Sequence, residues 1–158
     1  MRATFATLCI VLLAACTTPT APPPAGGTDA LAQVGRWTLQ GATDAQGARF
    51  DAAFPGGVAV HALVFDDGHV ALEGGCNHIG GDYRIDARGR LVIAPLQSTL
   101  MACADAARMD ADAAVSGLVE GAAEWRIAES WPEQLFLMHS DGRRSAWTAD
   151  RPRDTAGP

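Results

Sequence analysis

The sequence predicts a mainly β domain, a small antiparallel barrel or closed sheet with one amphipathic helix packed on it. Three observations carry that expectation. Short stretches alternating apolar and polar residues recur along the middle of the chain. Gly and Asp turn signals separate them, the spacing expected of an all-β closed sheet. One Ala-rich, Pro-free stretch, residues 104–120, breaks the alternation with helical spacing.

The elements follow in order. Residues 35–40 (GRWTLQ) put Trp37 and Leu39 on one face. Residues 58–65 (VAVHALVF) form a second strand candidate, stopped by Asp66-Asp67-Gly68, a strong hairpin turn, with residues 69–73 (HVALE) returning from it. Residues 83–86 (YRID) and 91–94 (LVIA) flank another turn, Ala87-Arg88-Gly89-Arg90. Residues 124–128, 135–139 and 145–148 complete the strands, the last two joined at Ser140-Asp141-Gly142. In the helix, Met109, Val115, Leu118 and Val119 fall near one face. Asp105, Asp110 and Asp112 suit its N-terminal half, where the dipole is positive, and Gly121 is a plausible stop.

The N-terminus carries a different kind of information. Met1-Arg2 is followed by an uncharged, mostly apolar run ending in Leu13-Ala14-Ala15-Cys16. About a dozen apolar residues is the length of a signal-peptide core and too short to span a bilayer. The Leu-Ala-Ala-Cys sequence resembles the bacterial lipoprotein signal. That resemblance implies cleavage after residue 15 and a lipidated Cys16, with several acyl chains as a membrane anchor. Thr17 after the cysteine implies sorting to the outer membrane, with the domain in the periplasm. Residues 16–30, rich in Pro, Thr, Ala and Gly, read as a flexible tether, residues 31–149 as the domain and residues 150–158 as a frayed tail.

The formal net charge is −6, and all twelve basic residues are arginine. Such an acidic chain is a poor partner for nucleic acid. The expected partners are the membrane, through the anchor, and an envelope protein the sequence does not name. The domain itself is expected to be a monomer.

Within the domain two motifs remain, and both contain cysteine: Gly74-Gly75-Cys76-Asn77-His78-Ile79-Gly80-Gly81-Asp82-Tyr83 and Ser98-Thr99-Leu100-Met101-Ala102-Cys103. Here the chain resembles the META domain, or HslJ-like heat-shock lipoprotein, family. The residues that match are Trp37-Thr38-Leu39, Gly75-Cys76-Asn77, Tyr83, Thr99-Leu100-Met101-Ala102-Cys103, Met109 and Asp112, in that order. The chain departs from the family pattern at His78-Ile79, Leu100 and Val115. The resemblance implies a META-type, lipocalin-like β-barrel with a helix and an association with envelope stress. It brings no reaction, substrate or cofactor, and the protein is expected not to be an enzyme.

With Cys16 lipidated and Cys9 lost with the signal peptide, Cys76 and Cys103 are left as an even pair. In an oxidising compartment such a pair is expected to form a disulfide. An alternative is a soft-metal site for Cu(I) or Zn, built from Cys76, His78, Met101 and Cys103. A catalytic Cys76–His78 pair is the weaker alternative, because residues two apart in a turn rarely reach nucleophile–base geometry. His61, His69 and His139 read as surface or half-buried sheet positions. The tryptophans read as core or rim, except Trp131, whose loop position makes it a candidate partner contact. The functional expectation is an envelope lipoprotein acting through protein contacts in stress tolerance. Carriage of one small apolar ligand inside the barrel is the alternative.

Overall fold

The computed structural model describes residues 27–128 and 130–150. The residues read as a signal peptide, Cys16, the residues up to 26 read as tether, and residues 151–158 lie outside the described residues. Among the described residues nine strands form: β1 (Arg36–Thr43), β2 (Ala62–Asp66), β3 (His69–Glu73), β4 (Ile79–Ile85), β5 (Leu91–Ile93), β6 (Gln97–Ser98), β7 (Gly121–Ala128), β8 (Gln134–His139) and β9 (Arg144–Ala149). Two α-helices accompany them among the described residues, α1 (Gly27–Val34) and α2 (Ala106–Val119), with two short 3-10 turns at Asp51–Ala53 and Pro55–Gly57.

The sheet runs β3-β2-β1-β9-β8-β7-β5-β4, and β3 also pairs with β4, so eight antiparallel strands close into a barrel. Closure removes the sheet edges that would otherwise expose unpaired backbone groups. The two-residue strand β6 adds to β4 through Ile79–Ser98 and Gly80–Gln97.

Strand alternation builds the interior. Trp37 and Leu39, Leu63 and Phe65, Val70 and Leu72, Leu91 and Ile93, Leu135 and Leu137, and Trp147 all point inward and are buried. Ile79, Tyr83, Ala123 and Trp125 join the same core, and Phe65 meets Tyr83 edge-on with ring centroids 4.9 Å apart. These side chains fill the space where an apolar ligand would sit, so the barrel interior gives no support to the carrier alternative. The Asp66-Asp67-Gly68 turn forms as read: Asp67 and Gly68 take φ 36° and 81°, the left-handed pair that a two-residue hairpin needs.

Several expectations need correction. The N-terminal helix α1 begins at Gly27, inside the stretch read as tether, and its Leu31 is fully buried, with its carbonyl accepting a bond from Trp37 Nε1 at 3.3 Å. Tertiary burial organises a segment whose composition reads as linker. Asp150, read as the start of the tail, bonds through its amide to the Arg36 carbonyl and through its carboxylate to Arg36 Nε. The strand expected over 58–65 pairs only from Ala62 onward. In α2 the buried stripe is Ala111, Asp112, Val115, Leu118 and Val119. Met109, placed by the sequence on that face, is 40% exposed.

Candidate functional site

Asp105 caps α2, its carboxylate accepting from the Ala107 amide at 3.0 Å. Asp112 does something else. It lies beyond the first turn, where the dipole argument applies, and the helix points it into the protein beside the Gly74–Asn77 turn. A buried carboxylate needs donors, and four converge on it. His61 Nε2 lies 2.9 Å from Oδ1. The amides of Cys76 and Asn77 donate to Oδ2 at 3.0 and 2.8 Å, and Asn77 Nδ2 donates to the same oxygen at 3.0 Å.

The turn continues the network outward. Asn77 Oδ1 accepts from the Met101 amide at 2.9 Å. Thr99 Oγ1 accepts from the His78 amide at 3.0 Å and lies 3.4 Å from Asn77 Oδ1. Cys76 and Cys103 are joined by a disulfide with Cα atoms 6.1 Å apart, within the ordinary span. Four matched positions, Gly75, Asn77, Thr99 and Asp112, and the cysteine pair thus form one clasp. It ties α2, the Gly74–Asn77 turn and the 97–103 segment together.

The clasp explains Gly75. A Cβ there would lie 1.6 Å from Asp112 Oδ1 and 2.8 Å from His61 Nε2. Gly75→Ala is therefore expected to destabilise by about 2–3 kcal/mol through overpacking, measured as a drop in urea midpoint at unchanged m-value. A midpoint within error of the parent would contradict this packing.

The electrostatics follow from the donors. Burial alone would raise the Asp112 pKa, but the bonds from His61, Asn77 and the Cys76 amide outweigh it and hold the carboxyl below its ordinary value. Because a carboxylate only accepts, His61 donates from Nε2, and its buried Nδ1 has no partner among the described residues. His61 is fully buried and His139 is 7% exposed, which corrects the reading of both as surface or half-buried sheet positions. His69, in β3, is exposed as read. Burial lowers the His139 pKa, helped by Arg143 and opposed by Asp141.

These shifts set a pH dependence. The unfolded chain protonates His139 near pH ~6.5 while the folded chain resists, so stability falls as pH drops through that window. The contribution of Asp112 is fully present above its unfolded value, pH ~3.9, and is lost as pH falls through its lower folded value. Urea midpoints should decline in two stages on acidification, and His139→Gln should flatten the upper stage alone. An unchanged upper stage in that variant would contradict the assignment.

The remaining matched residues occupy different places. Trp37 and Tyr83 are core residues, whereas Met101 is 48% exposed and Leu100 wholly exposed. Trp131 is 58% exposed, in keeping with its reading as a surface aromatic; Trp37, Trp125 and Trp147 are buried. Both thiols of the soft-metal alternative are spent in the disulfide, and no cluster of three His, Cys, Asp or Glu among the described residues is placed to hold a metal. The same bond removes the thiol from the Cys76–His78 alternative.

The family model described as META domain matches residues 29–151. The chain belongs to the META domain family. Among solved structures, the META barrel is similar to an NMR structure of a protein from Burkholderia xenovorans. That likeness has a TM-score of 0.62 at 18% identity, and it covers 89% of this chain and 100% of that one. A second NMR structure is similar at TM-score 0.50 and 17% identity, over 77% of this chain and 93% of that one. At these identities the likeness speaks to fold alone. No curated protein matches the chain.

The sequence missed two parts of the clasp. It read His61 as a sheet position, and it named Asp112 as a family-motif residue but gave it only the role of a dipole partner. One signal was present: Asp112 stands three and seven residues before Val115 and Val119, on the apolar stripe of the META helix. A carboxylate on such a stripe demands buried donors, and the lone polar residue in VAVHALVF is the matching one.

Proposed function

We propose that this protein is a lipid-anchored envelope lipoprotein whose META domain acts through protein contacts rather than catalysis. The observation that carries this reading is the clasp. Its polar groups are spent on holding the fold: Asp112 on four donors, Asn77 on Met101, and both sulfurs on each other. The His61–Asp112 pair has the make-up of a catalytic dyad. Its side chains are 0% and 4% exposed, however, with the Gly75-Cys76-Asn77 turn packed over the carboxylate and no free thiol at hand. The lipoprotein-like Leu13-Ala14-Ala15-Cys16 sequence supports the membrane anchor, outer-membrane sorting and periplasmic placement. The exposed Trp131 supports a contact surface.

The test is genetic and biochemical together. Cells fed an alkyne-labelled fatty acid should label the wild-type protein and not Cys16→Ala. A deletion strain should lose survival under heat or detergent stress, and wild type should restore it while Cys16→Ala should not. A deletion strain indistinguishable from its parent would sink the stress reading, and unlabelled wild-type protein would sink the anchor. Trp131→Ala should leave stability within about 0.5 kcal/mol of wild type and weaken complementation. Full complementation by that variant would remove Trp131 as a contact.

A further inference from the structure

The barrel carries a second feature, on its outer face and independent of the clasp. Where β7, β8, β9 and β1 lie side by side, the outward positions Arg126, Phe136, Ala146 and Gly41 fall in one row across the strands. Met138, Arg144 and Thr43 form the next row. Small residues at Gly41 and Ala146 keep the floor low in the middle.

The 44–48 loop walls one side. Asp44 holds it, its carboxylate accepting from the amides of Gln46 and Ala48, both at 2.9 Å. Gly142 packs beneath it so closely that a Cβ there would lie 2.7 Å from the Ala45 carbonyl oxygen. The result is an open groove of about 810 Å³, within the ordinary range for a small-molecule site.

Its charge runs against that of the chain. The protein has a net charge of −6, yet the groove is lined by Arg49, Arg126 and Arg144 and by no carboxylate. Arg49 is paired with Asp51 and lies over the Phe54 ring. Arg126 is stacked 4.0 Å above the Phe136 ring and has no ion pair among the described residues. Arg144 likewise has no acidic partner among them. Glu124 is the acidic residue of this face: it stands two positions before Arg126 on β7 and beyond Met138 from Arg144, and it forms an ion pair with neither. Two guanidiniums without carboxylate partners beside an aromatic ring and a thioether present an anion site next to an apolar one.

We propose that this groove binds a small amphipathic anion. Arg126 and Arg144 take its carboxylate, sulfonate or phosphate, and Phe136 and Met138 take its apolar body. Stacking on Phe136 holds the Arg126 guanidinium in place, so less side-chain freedom is lost on binding.

The probe is 1-anilinonaphthalene-8-sulfonate, with neutral N-phenyl-1-naphthylamine and inorganic phosphate as its two halves, titrated into the isotope-labelled full chain. The sulfonate should saturate at one per chain and shift the amides of Gly41, Thr43, Gln46 and Ala146. It should bind at least tenfold more tightly than either half. The Arg126→Gln, Arg144→Gln double variant should bind at least tenfold more weakly at an unchanged melting temperature. Shifts centred on exposed Leu100 and Met101 would overturn the proposal. So would equal binding of the neutral analogue, or a double variant that binds as wild type does.

Discussion

Asp112→Ala is expected to destabilise the domain by about 3–5 kcal/mol, because hydrogen bonds to a charged group are worth about 1.5–3 kcal/mol each and several are lost together. The magnitude comes from what stays behind. His61, two backbone amides and the Asn77 side chain all lose their acceptor at once, His61 in a fully buried site and the other three in a part-buried one. Loss of that size is a large fraction of a domain's usual 5–15 kcal/mol. Equilibrium urea unfolding at pH 7 checks it. Asp112→Asn should fall between alanine and wild type, because one oxygen still accepts while its amide group faces donors. If the alanine variant lost under about 1 kcal/mol, the clasp would hold the fold in appearance only.

The second large effect is expected from the disulfide. Cys76 and Cys103 lie 27 positions apart, and closing a loop of that length stabilises by about 3.5 kcal/mol in the chain-entropy account. The Cys76→Ser, Cys103→Ser double variant should therefore show a much lower urea midpoint than the oxidised wild type, and reduction of the wild type should reproduce most of the loss. The two effects should be less than additive when combined with Asp112→Ala. The Cys76 amide bonds Asp112 while its sulfur bonds Cys103, so each change loosens the turn the other depends on. Strict additivity would show that the hydrogen-bonded and covalent halves of the clasp act separately.

Much of the barrel was legible locally. His69–Glu73 was readable to the residue because alternation and a turn at Asp67-Gly68 both lie within a few positions. The closing strands β8 and β9 were legible for the same reason. Strand β6 was not: Gln97 and Ser98 have no pattern of their own and become a strand by pairing with β4. Helix α1 was hidden by its neighbours, since it follows a Pro-rich stretch and owes its order to Leu31 packing under Trp37. Met109 was misplaced because helical periodicity names a face without saying how wide the covered stripe is.

By itself the sequence determined the class of fold, the turns, the even cysteine pair and the family motifs, because period-2 alternation, turn chemistry and short spacings are local properties. Only the tertiary structure decided what those motifs do. The His61–Asp112 bond spans 51 positions and the Asn77–Asp112 bonds span 35, distances over which no periodicity links one residue to the other. The outer groove is likewise a product of register. Gly41, Ala146, Phe136 and Arg126 come from four different strands, and only the pairing of the first strand with the last, β1 with β9, sets Gly41 beside the other three.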